Sequence, residues 1–471
     1  MVTSHDVAAV MAKADILAQA KAAVLAKAEA GGVRGAELAG LLRRMCQLGE
    51  PGAGLLPGEA LEPIADLLSL AELPVPSPGR AREALDRLVV IKLSGGLGTS
   101  MGLSAPKALL QVKPGMSFLD VVVTQVLALR EQYGARLPLV LMNSAATRDR
   151  SLEVLRRYDG LAVPGVPLDF LQGREPKLRA DDLRPVRWPP DPELEWCPPG
   201  HGDIYTALAA SGTLDALLGA GLRYAFVSNV DNLGARADVR IAAWLAAQQV
   251  PFVLEAVRGT PADRKGGHLA WHQGRVVLRE TAQVPDGDTS FTEVERWRWY
   301  NTNNIWLDLR ALKDLQAADP AAPALPLIVN RKTVDPRDPA STPVIQLETA
   351  MGAAIGALPG ARAVHVPRSR FAPVKTTDDL LVVRSDAYEL TGDGQLRAGF
   401  HGPGPVVTLD RGVYGLLAGF EQRFPGGAPS LRDCCRFEVQ GDVSFGAGVA
   451  AVGDVLLVGP GHVPDATVIS G

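Results

Sequence analysis

Two lysines, one aspartate and a run of glycines hold the chemistry available to this chain. From Leu88 to Lys107 it reads LVVIKLSGGLGTSMGLSAPK. Gly95, Gly96, Gly98 and Gly102 crowd behind an apolar, β-branched run (Val89, Val90, Ile91), and Pro106 with Lys107 closes the stretch. Glycine has no Cβ, so backbone N–H groups there can turn toward an anion and approach it closely. A buried strand, a glycine cradle and a lysine together predict a nucleotide phosphate site. The spacing departs from both common cradles. A P-loop needs G-x-x-x-x-G-K-[ST], and here Leu103 follows Gly102. A dinucleotide turn needs G-x-G-x-x-G, and after Gly96 and Gly98 the next glycine comes one residue late, which argues against a dinucleotide-dependent oxidoreductase.

Other stretches add complementary groups. Phe226–Gly234 reads FVSNVDNLG, a strand running into Asn229, Val230 and Asp231. Asp231 then stands just past the strand end, either as a hard oxygen ligand for Mg²⁺ shared with substrate phosphates or as part of an Asx turn. In PPGHGDIY, His201 lies between Gly200 and Gly202, where its imidazole can donate a hydrogen bond beside closely approaching backbone. The segment Lys265-Gly266-Gly267-His268, Glu280 in LRETAQV and Asn301–Asn304 in YNTNNIW supply the paired donors and acceptors that sugar hydroxyls require. Pro367–Leu380 reads PRSRFAPVKTTDDL and carries Lys375; its Arg368 and Arg370 either add positive potential or are solvated.

In order and approximate spacing these stretches resemble the eukaryotic-type UTP–glucose-1-phosphate uridylyltransferases, from about Leu88 to Thr377 and more weakly to Gly471. The family loop reads roughly L-N-G-G-L-G-T-S-M-G, then P-K. Here Ser94 replaces its Asn, and Leu103, Ser104 and Ala105 stand where a cysteine, a lysine and a glycine are usual. The resemblance implies an α/β fold: a Rossmann-like, GT-A-like nucleotidyltransferase domain with a mixed, mainly parallel sheet. It implies reversible, Mg²⁺-dependent uridylyl transfer from UTP to α-D-glucose 1-phosphate, giving UDP-glucose and pyrophosphate. Galactose 1-phosphate or an N-acetylhexosamine 1-phosphate is the alternative acceptor, the N-acetyl group needing room beside Gly267. By the same resemblance Lys107 and Lys375 are catalytic, and Leu93, Gly95, Gly96, Gln172 and Gly200 bind the nucleotide, the last two at the uracil. His201 would meet a substrate phosphate; Asn229, Gly267, Glu280, Asn301 and Asn303 would hold the nucleotide–sugar, and Asp231 the metal. A catalytically dead sugar-nucleotide sensor would lack Asp231 or the lysines, and this chain has all three.

The elements that must position these residues follow from length and periodicity. At 471 residues the chain is long enough for two to four domains, and its 47 % apolar content supports large cores. A formal net charge of −4 leaves no basic footprint for nucleic acid or anionic lipid. Four cysteines, scattered apart from the adjacent Cys434 and Cys435 and without a C-x-x-C, fit a reduced cytoplasm. The charged N-terminus (Asp6, Lys13, Asp15) lacks a signal-peptide core, and no apolar run approaches the ~18–20 residues of a membrane span, so a soluble protein is expected. Residues 1–85 read as an alanine-rich helical segment without chemistry. Residues 86–384 alternate strand and helix, with helices expected at Leu119–Tyr133, Tyr205–Leu218 and Val239–Gln249, and strands at Leu137–Met142, Tyr224–Ser228 and Phe252–Val257. Seven prolines in 172–200 predict a loop lining a site. In 385–471, Val443, Val449 and Val455 are six apart, as are Val463 and Ile469. That period predicts a short β-helix, with an irregular meander as the alternative, and unpaired edges through which copies could assemble.

Overall fold

The structure, a computed structural model, describes residues 18–50, 52, 54–402 and 404–471, so Asp6, Lys13 and Asp15 lie outside it. A first helix ends at Gly31-Gly32, and α1 (Gly35–Leu48) follows, burying Leu41, Arg44 and Met45. The N-terminal segment is not purely helical. Glu62–Pro63 pairs with the strand His268–His272, and Leu68–Ser69 becomes the edge of the main sheet.

The central sheet is built in chain order from β1 (Leu88–Leu93), β2 (Leu139–Asn143) after helix α2 (Phe118–Tyr133), and β3 (Asp169–Leu171). Helices α3 (Ile204–Ala210) and α4 (Thr213–Gly219) lead to β4 (Tyr224–Asn229), and α5 (Val239–Gln248) leads to β5 (Phe252–Arg258). Then come β6 (Trp299–Asp308), β7 (Arg362–His365) and α6 (Thr377–Arg384). The spatial order is Leu68–Ser69, β7, β5, β6, β4, β1, β2, β3. Every neighbour along it is parallel except β6, which runs antiparallel to both β4 and β5. The strands read as continuous apolar runs because both faces are covered. Leu88 and Val90 face one core with Phe226 and α2, while Val89 and Ile91 face the other with Val227 and α3.

Local signals explain the helix limits. Ser117 and Asp120 form a capping box at the start of α2, and Gly134, at φ 61°, ends it. The single helix expected over Tyr205–Leu218 is two, because Gly212 turns the chain at φ 73°. The proline-rich 172–200 segment is partly ordered: Glu175–Pro176 pairs with Trp196–Cys197, and Leu178–Arg179 joins the strand Pro343–Glu348.

After α6 the chain forms β8 (Val406–Leu409), β9 (Ser430–Gln440), β10 (Ala450–Val458) and β11 (Val468–Ser470), all mutually parallel. Ala450 pairs with Val468 and Val443 with Gly461, so a rung takes eighteen residues (468 − 450), or three six-residue units. Val443, Val449, Val455 and Val463 are buried, and they join the core that also holds α2.

Candidate active site

Parallel strands of one sheet present their carboxyl ends together, and ligands gather there. β1 and β4 are neighbours in register, Leu93 opposite Asn229, so the glycine loop and the Asn229–Asp231 turn open side by side. In the loop, Gly98 and Gly102 take φ of 66° and 70°, the left-handed region that glycine enters without strain. A Cβ on Gly95 would collide with the Gln172 amide, so that side chain can lie against the loop only because residue 95 is glycine. Gln172 follows β3 directly and is anchored by its N–H to the Asn143 carbonyl at 2.8 Å. Leu103, one of the loop departures, packs against Gly98.

Past the strand ends two distant lysines converge on one carboxylate. Lys107 Nζ is 2.7 Å from Asp231 Oδ2, and Lys375 Nζ is 3.1 and 2.9 Å from Oδ1 and Oδ2. Asp231 is buried. Burial alone would raise its carboxyl; Lys375 and Lys107 outweigh it and hold the group below the usual carboxylate range. The lysines differ in freedom. Lys107 has a side chain 13 % exposed and also donates to the Val374 carbonyl, whereas that of Lys375 is 55 % exposed.

His201 completes this end. Its Nδ1 accepts from the Met351 N–H at 2.9 Å, which leaves the proton on Nε2. Burial, helped by the Lys375 charge, pulls the imidazole down to about 4, so it is a neutral donor at pH 7. Gly200, at φ 80°, would drive a Cβ against the Thr349 carbonyl, which also accepts from the Gly202 N–H at 2.8 Å. The turn Thr349–Gly352 therefore seats Gly200 and His201. The sequence reading passed over it.

The sugar-type residues form a second cluster. Between β5 and β6 the register shifts so that Leu254 and Ala256 oppose Ile305 and Asn301. This bulge turns Asn301 and Asn303 toward each other: Asn301 Nδ2 donates to Asn303 Oδ1 at 2.8 Å, and Asn303 N to Asn301 Oδ1 at 2.9 Å. Asn303 takes φ 55°, a left-handed conformation that asparagine tolerates. A Cβ on Gly267 would lie 2.6 Å from Glu280 Oε2, so the carboxylate rests directly on that glycine. Burial pushes Glu280 up to about 7, and an Asn301 hydrogen bond only partly opposes it. Gly352 packs under Asn301 and follows Met351, joining this cluster to His201.

Several expected members face elsewhere. Lys265 is exposed, and His268 is buried among Trp297, Phe291 and Tyr300, stacked on Trp297 at 4.6 Å, with neither ring nitrogen bonded. Asn304 donates to Glu255 Oε2 and to the Arg370 carbonyl. Arg368 is exposed, as its solvated alternative has it, while pairing with Asp263 at 2.7 and 3.0 Å; Arg370 matches neither alternative, being buried on Glu255 at 2.8 and 2.5 Å. Removing one partner of that buried pair would strand the other charge, at about 3–5 kcal/mol.

Lys92, which the sequence presents as one more strand residue, is buried beneath the loop. Its Nζ donates to Ser228 Oγ and the Ala235 carbonyl, both at 2.7 Å. Burial pulls its ammonium down to about 7, with Arg370 pushing the same way. The N-terminal segment also takes part. Gly31, Gly32, Val33 and Glu37 line a cleft of about 1180 Å³ with Gly95 and Gln172. The segment read as lacking chemistry thus forms a wall of the open space beside the loop.

Known proteins share this architecture. The family model of UTP–glucose-1-phosphate uridylyltransferase matches residues 59–451. A UTP–glucose-1-phosphate uridylyltransferase from Solanum tuberosum is 40 % identical over 422 residues, 88 % of this chain and 85 % of the relative. A mutant UDP-glucose pyrophosphorylase from Leishmania major in complex with UDP-glucose superposes with a TM-score of 0.89 at 40 % identity, covering 96 % of this chain and 98 % of that one. A UDP-glucose phosphorylase from Trypanosoma brucei does so with a TM-score of 0.87 at 42 % identity, covering 96 % and 100 %.

Proposed function

The chain belongs to the UTP–glucose-1-phosphate uridylyltransferase family of nucleotidyltransferases, and we propose that it transfers the uridylyl group of UTP to α-D-glucose 1-phosphate, reversibly. The observation that carries this reading is the convergence of Lys107 and Lys375 on Asp231 beside the glycine loop. A phosphate oxygen of the sugar phosphate attacks the α-phosphorus of UTP; a new P–O bond forms, the α–β bridging bond breaks, and pyrophosphate leaves with its electron pair. The nucleophile is already an anion, so no general base is needed. The difficulty is bringing two anions into line, and the lysines and loop amides meet it by positioning and charge neutralisation.

In this reading Leu93, Gly95, Gly96, Gln172 and Gly200 hold the nucleotide. Neutral His201 donates its Nε2 proton to a substrate phosphate oxygen. Asn229, Gly267, Glu280, Asn301 and Asn303 hold the nucleotide–sugar. Asp231 suits Mg²⁺: it is a buried, ionised hard-oxygen donor facing the phosphate side. Among the described residues no group of three or more His, Cys, Asp or Glu could ligate a metal, so the ion would take its other ligands from phosphates and water. When bound it would neutralise charge on the triphosphate.

Glucose is favoured over an N-acetylhexosamine because the Glu280 carboxylate takes the room beside Gly267. Unpaired Cys46, Cys197, Cys434 and Cys435 suit a cytoplasmic, reducing compartment, and among the described residues no helix is long and apolar enough to cross a membrane. Self-association through the C-terminal segment is part of the same reading: exposed Val452, Leu456, Val458 and Val468 line β10 and β11, where a second copy would cover them.

The test is pyrophosphate release from UTP with a panel of sugar 1-phosphates, with Mg²⁺ and with chelator, and with ATP in place of UTP. Turnover with UTP and glucose 1-phosphate alone is expected. Equal turnover with ATP would overturn the base pocket, and activity only with another sugar phosphate would overturn the acceptor.

A further inference from the structure

Lys375 reaches Asp231 from a segment 144 positions away, and it has an exposed, flexible side chain. Something must hold the start of that side chain in place. We propose that Asn232 is the positioning residue that sets Lys375 against Asp231, and so governs turnover without touching substrate; this rests on the role given to Lys375 above.

Asn232 is buried, and its carboxamide stitches two segments together. Its Oδ1 accepts from the Ala372 N–H at 2.9 Å. Its Nδ2 donates to the Arg370 carbonyl and to Asn304 Oδ1, both at 3.2 Å. Both of its N–H groups are thus used, one on the segment that carries Ala372 and one on β6. The main chain continues the seam: Asn232 bridges to Pro373 in antiparallel fashion, and the Val374 N–H donates to the Asp231 carbonyl at 3.1 Å. A Cβ on neighbouring Gly234 would lie 2.7 Å from the Arg370 carbonyl carbon, so the approach of the two backbones requires glycine there. From beneath, Arg370 is locked onto Glu255, which also accepts from Asn304 and from Trp306 Nε1 at 2.9 Å. The segment 370–374 is therefore fixed at its near end by a buried ion pair, midway by the Asn232 carboxamide at Ala372, and at Val374 by the Asp231 carbonyl and the Lys107 ammonium. Lys375 is the next residue. A carboxamide is the group that can donate twice and accept once at this spot; aspartate keeps the acceptor and loses both donors.

Steady-state pyrophosphorolysis of UDP-glucose, calorimetric UDP-glucose titration and thermal melting would be measured for wild type, Asn232→Ala, Asn232→Asp, Lys375→Ala and the double variant Asn232→Ala/Lys375→Ala. Asn232→Ala should lower kcat roughly 30- to 100-fold, the scale expected when a reacting group is misplaced by about an ångström. UDP-glucose affinity should change by less than about threefold, because the carboxamide is buried and its donors and acceptor are engaged within the protein. In the Lys375→Ala background the same substitution should cost no more than about threefold in kcat, since the group it positions is gone. The near-isosteric Asn232→Asp carries the same comparison if the alanine variant fails to fold. Equal losses in both backgrounds, or normal kcat in a folded Asn232 variant, would overturn the proposal. A wild type that transfers uridylyl to no sugar phosphate would overturn the functional reading and the clamp with it.

Discussion

Asp231 and Glu280 are two largely buried carboxylates with opposite surroundings. Asp231 receives two ammonium groups and is held ionised; Glu280 makes no ion pair among the described residues and is pushed up to about 7. The difference divides the site into two kinds of ground. In the proposed reading the phosphate end, built on β1, β4 and the segment before α6, concentrates charge where negative charge would build up on a departing pyrophosphate. The sugar end, built on the β5–β6 bulge and the Gly267 turn, is a hydrogen-bonding surface of little net charge. In the proposed reading its work is recognition, where paired donors and acceptors matter more than field strength.

The sharpest way to separate the two ends is to remove charge from one and ask whether binding or turnover moves. Lys107→Ala and Lys375→Ala should each lower kcat by about 10²–10³, the scale seen when one preorganised donor to a developing anion is lost. UDP-glucose affinity should fall far less. The double variant should lose less than the product of the single losses, because both lysines act on one phosphate chain. Lys→Arg should rescue neither, since a wide fork does not fit a point-charge site. Near-normal kcat in a folded alanine variant would rule out a catalytic role for that lysine.

At the sugar end the order should reverse. Glu280→Gln keeps shape and removes the charged acceptor, so UDP-glucose affinity should weaken roughly tenfold, the low end for a hydrogen bond to a charged group, while kcat moves less. The wild-type carboxyl titrates near 7. Binding that prefers its ionised form must tighten as pH rises from 6 to 8, and this limb should vanish in Glu280→Gln. UDP-glucose suits the measurement, because its diphosphate does not titrate in that window. A glutamine variant with the same pH dependence would assign the limb to another group.

How much of this was legible in the sequence follows from how local each feature is. The strand, glycine loop and lysine of Leu88–Lys107 lie within twenty residues, and so does the Asn229–Asp231 turn at its strand end; motif and neighbourhood coincide. Lys92 shows the limit, reading as one more residue of an apolar strand while its ammonium is spent on Ser228 and Ala235. Arg370 likewise gives no sign in the sequence that Glu255, 115 positions earlier, will bury it. The Thr349–Gly352 turn has no composition of its own to mark it, and its role exists only where it meets Gly200 and Asn301. Strand direction was equally hidden: alternation and apolar runs are the same read either way, so β6 could not be told from its parallel neighbours. Six-residue spacing in the tail did mark which valines turn inward, because that repeat is local.

The smallest expected effect concerns stability, and it turns on two groups that burial holds neutral, one an acid and one a base. Glu280 has a folded pKa raised from 4.5 to about 7, so the folded state holds more protons than the unfolded one between those values. Its contribution is fully present below about pH 4.5 and is lost as pH rises through about 7. His201 has the opposite sign: its folded pKa falls from 6.5 to about 4, so its contribution is absent at low pH and grows as pH rises from about 4 to 6.5. The two windows overlap, and these two slopes oppose each other. The difference between wild type and Glu280→Gln removes the histidine contribution and isolates the carboxyl. Denaturant unfolding at pH 5, 6, 7 and 8 should show wild type losing stability relative to Glu280→Gln as pH rises, by something on the order of 2 kcal/mol once the partial exposure of the side chain is allowed for. A flat difference, or one that grows in favour of wild type, would mean that Glu280 is ionised in the free protein and that the sugar end is charged before its ligand arrives.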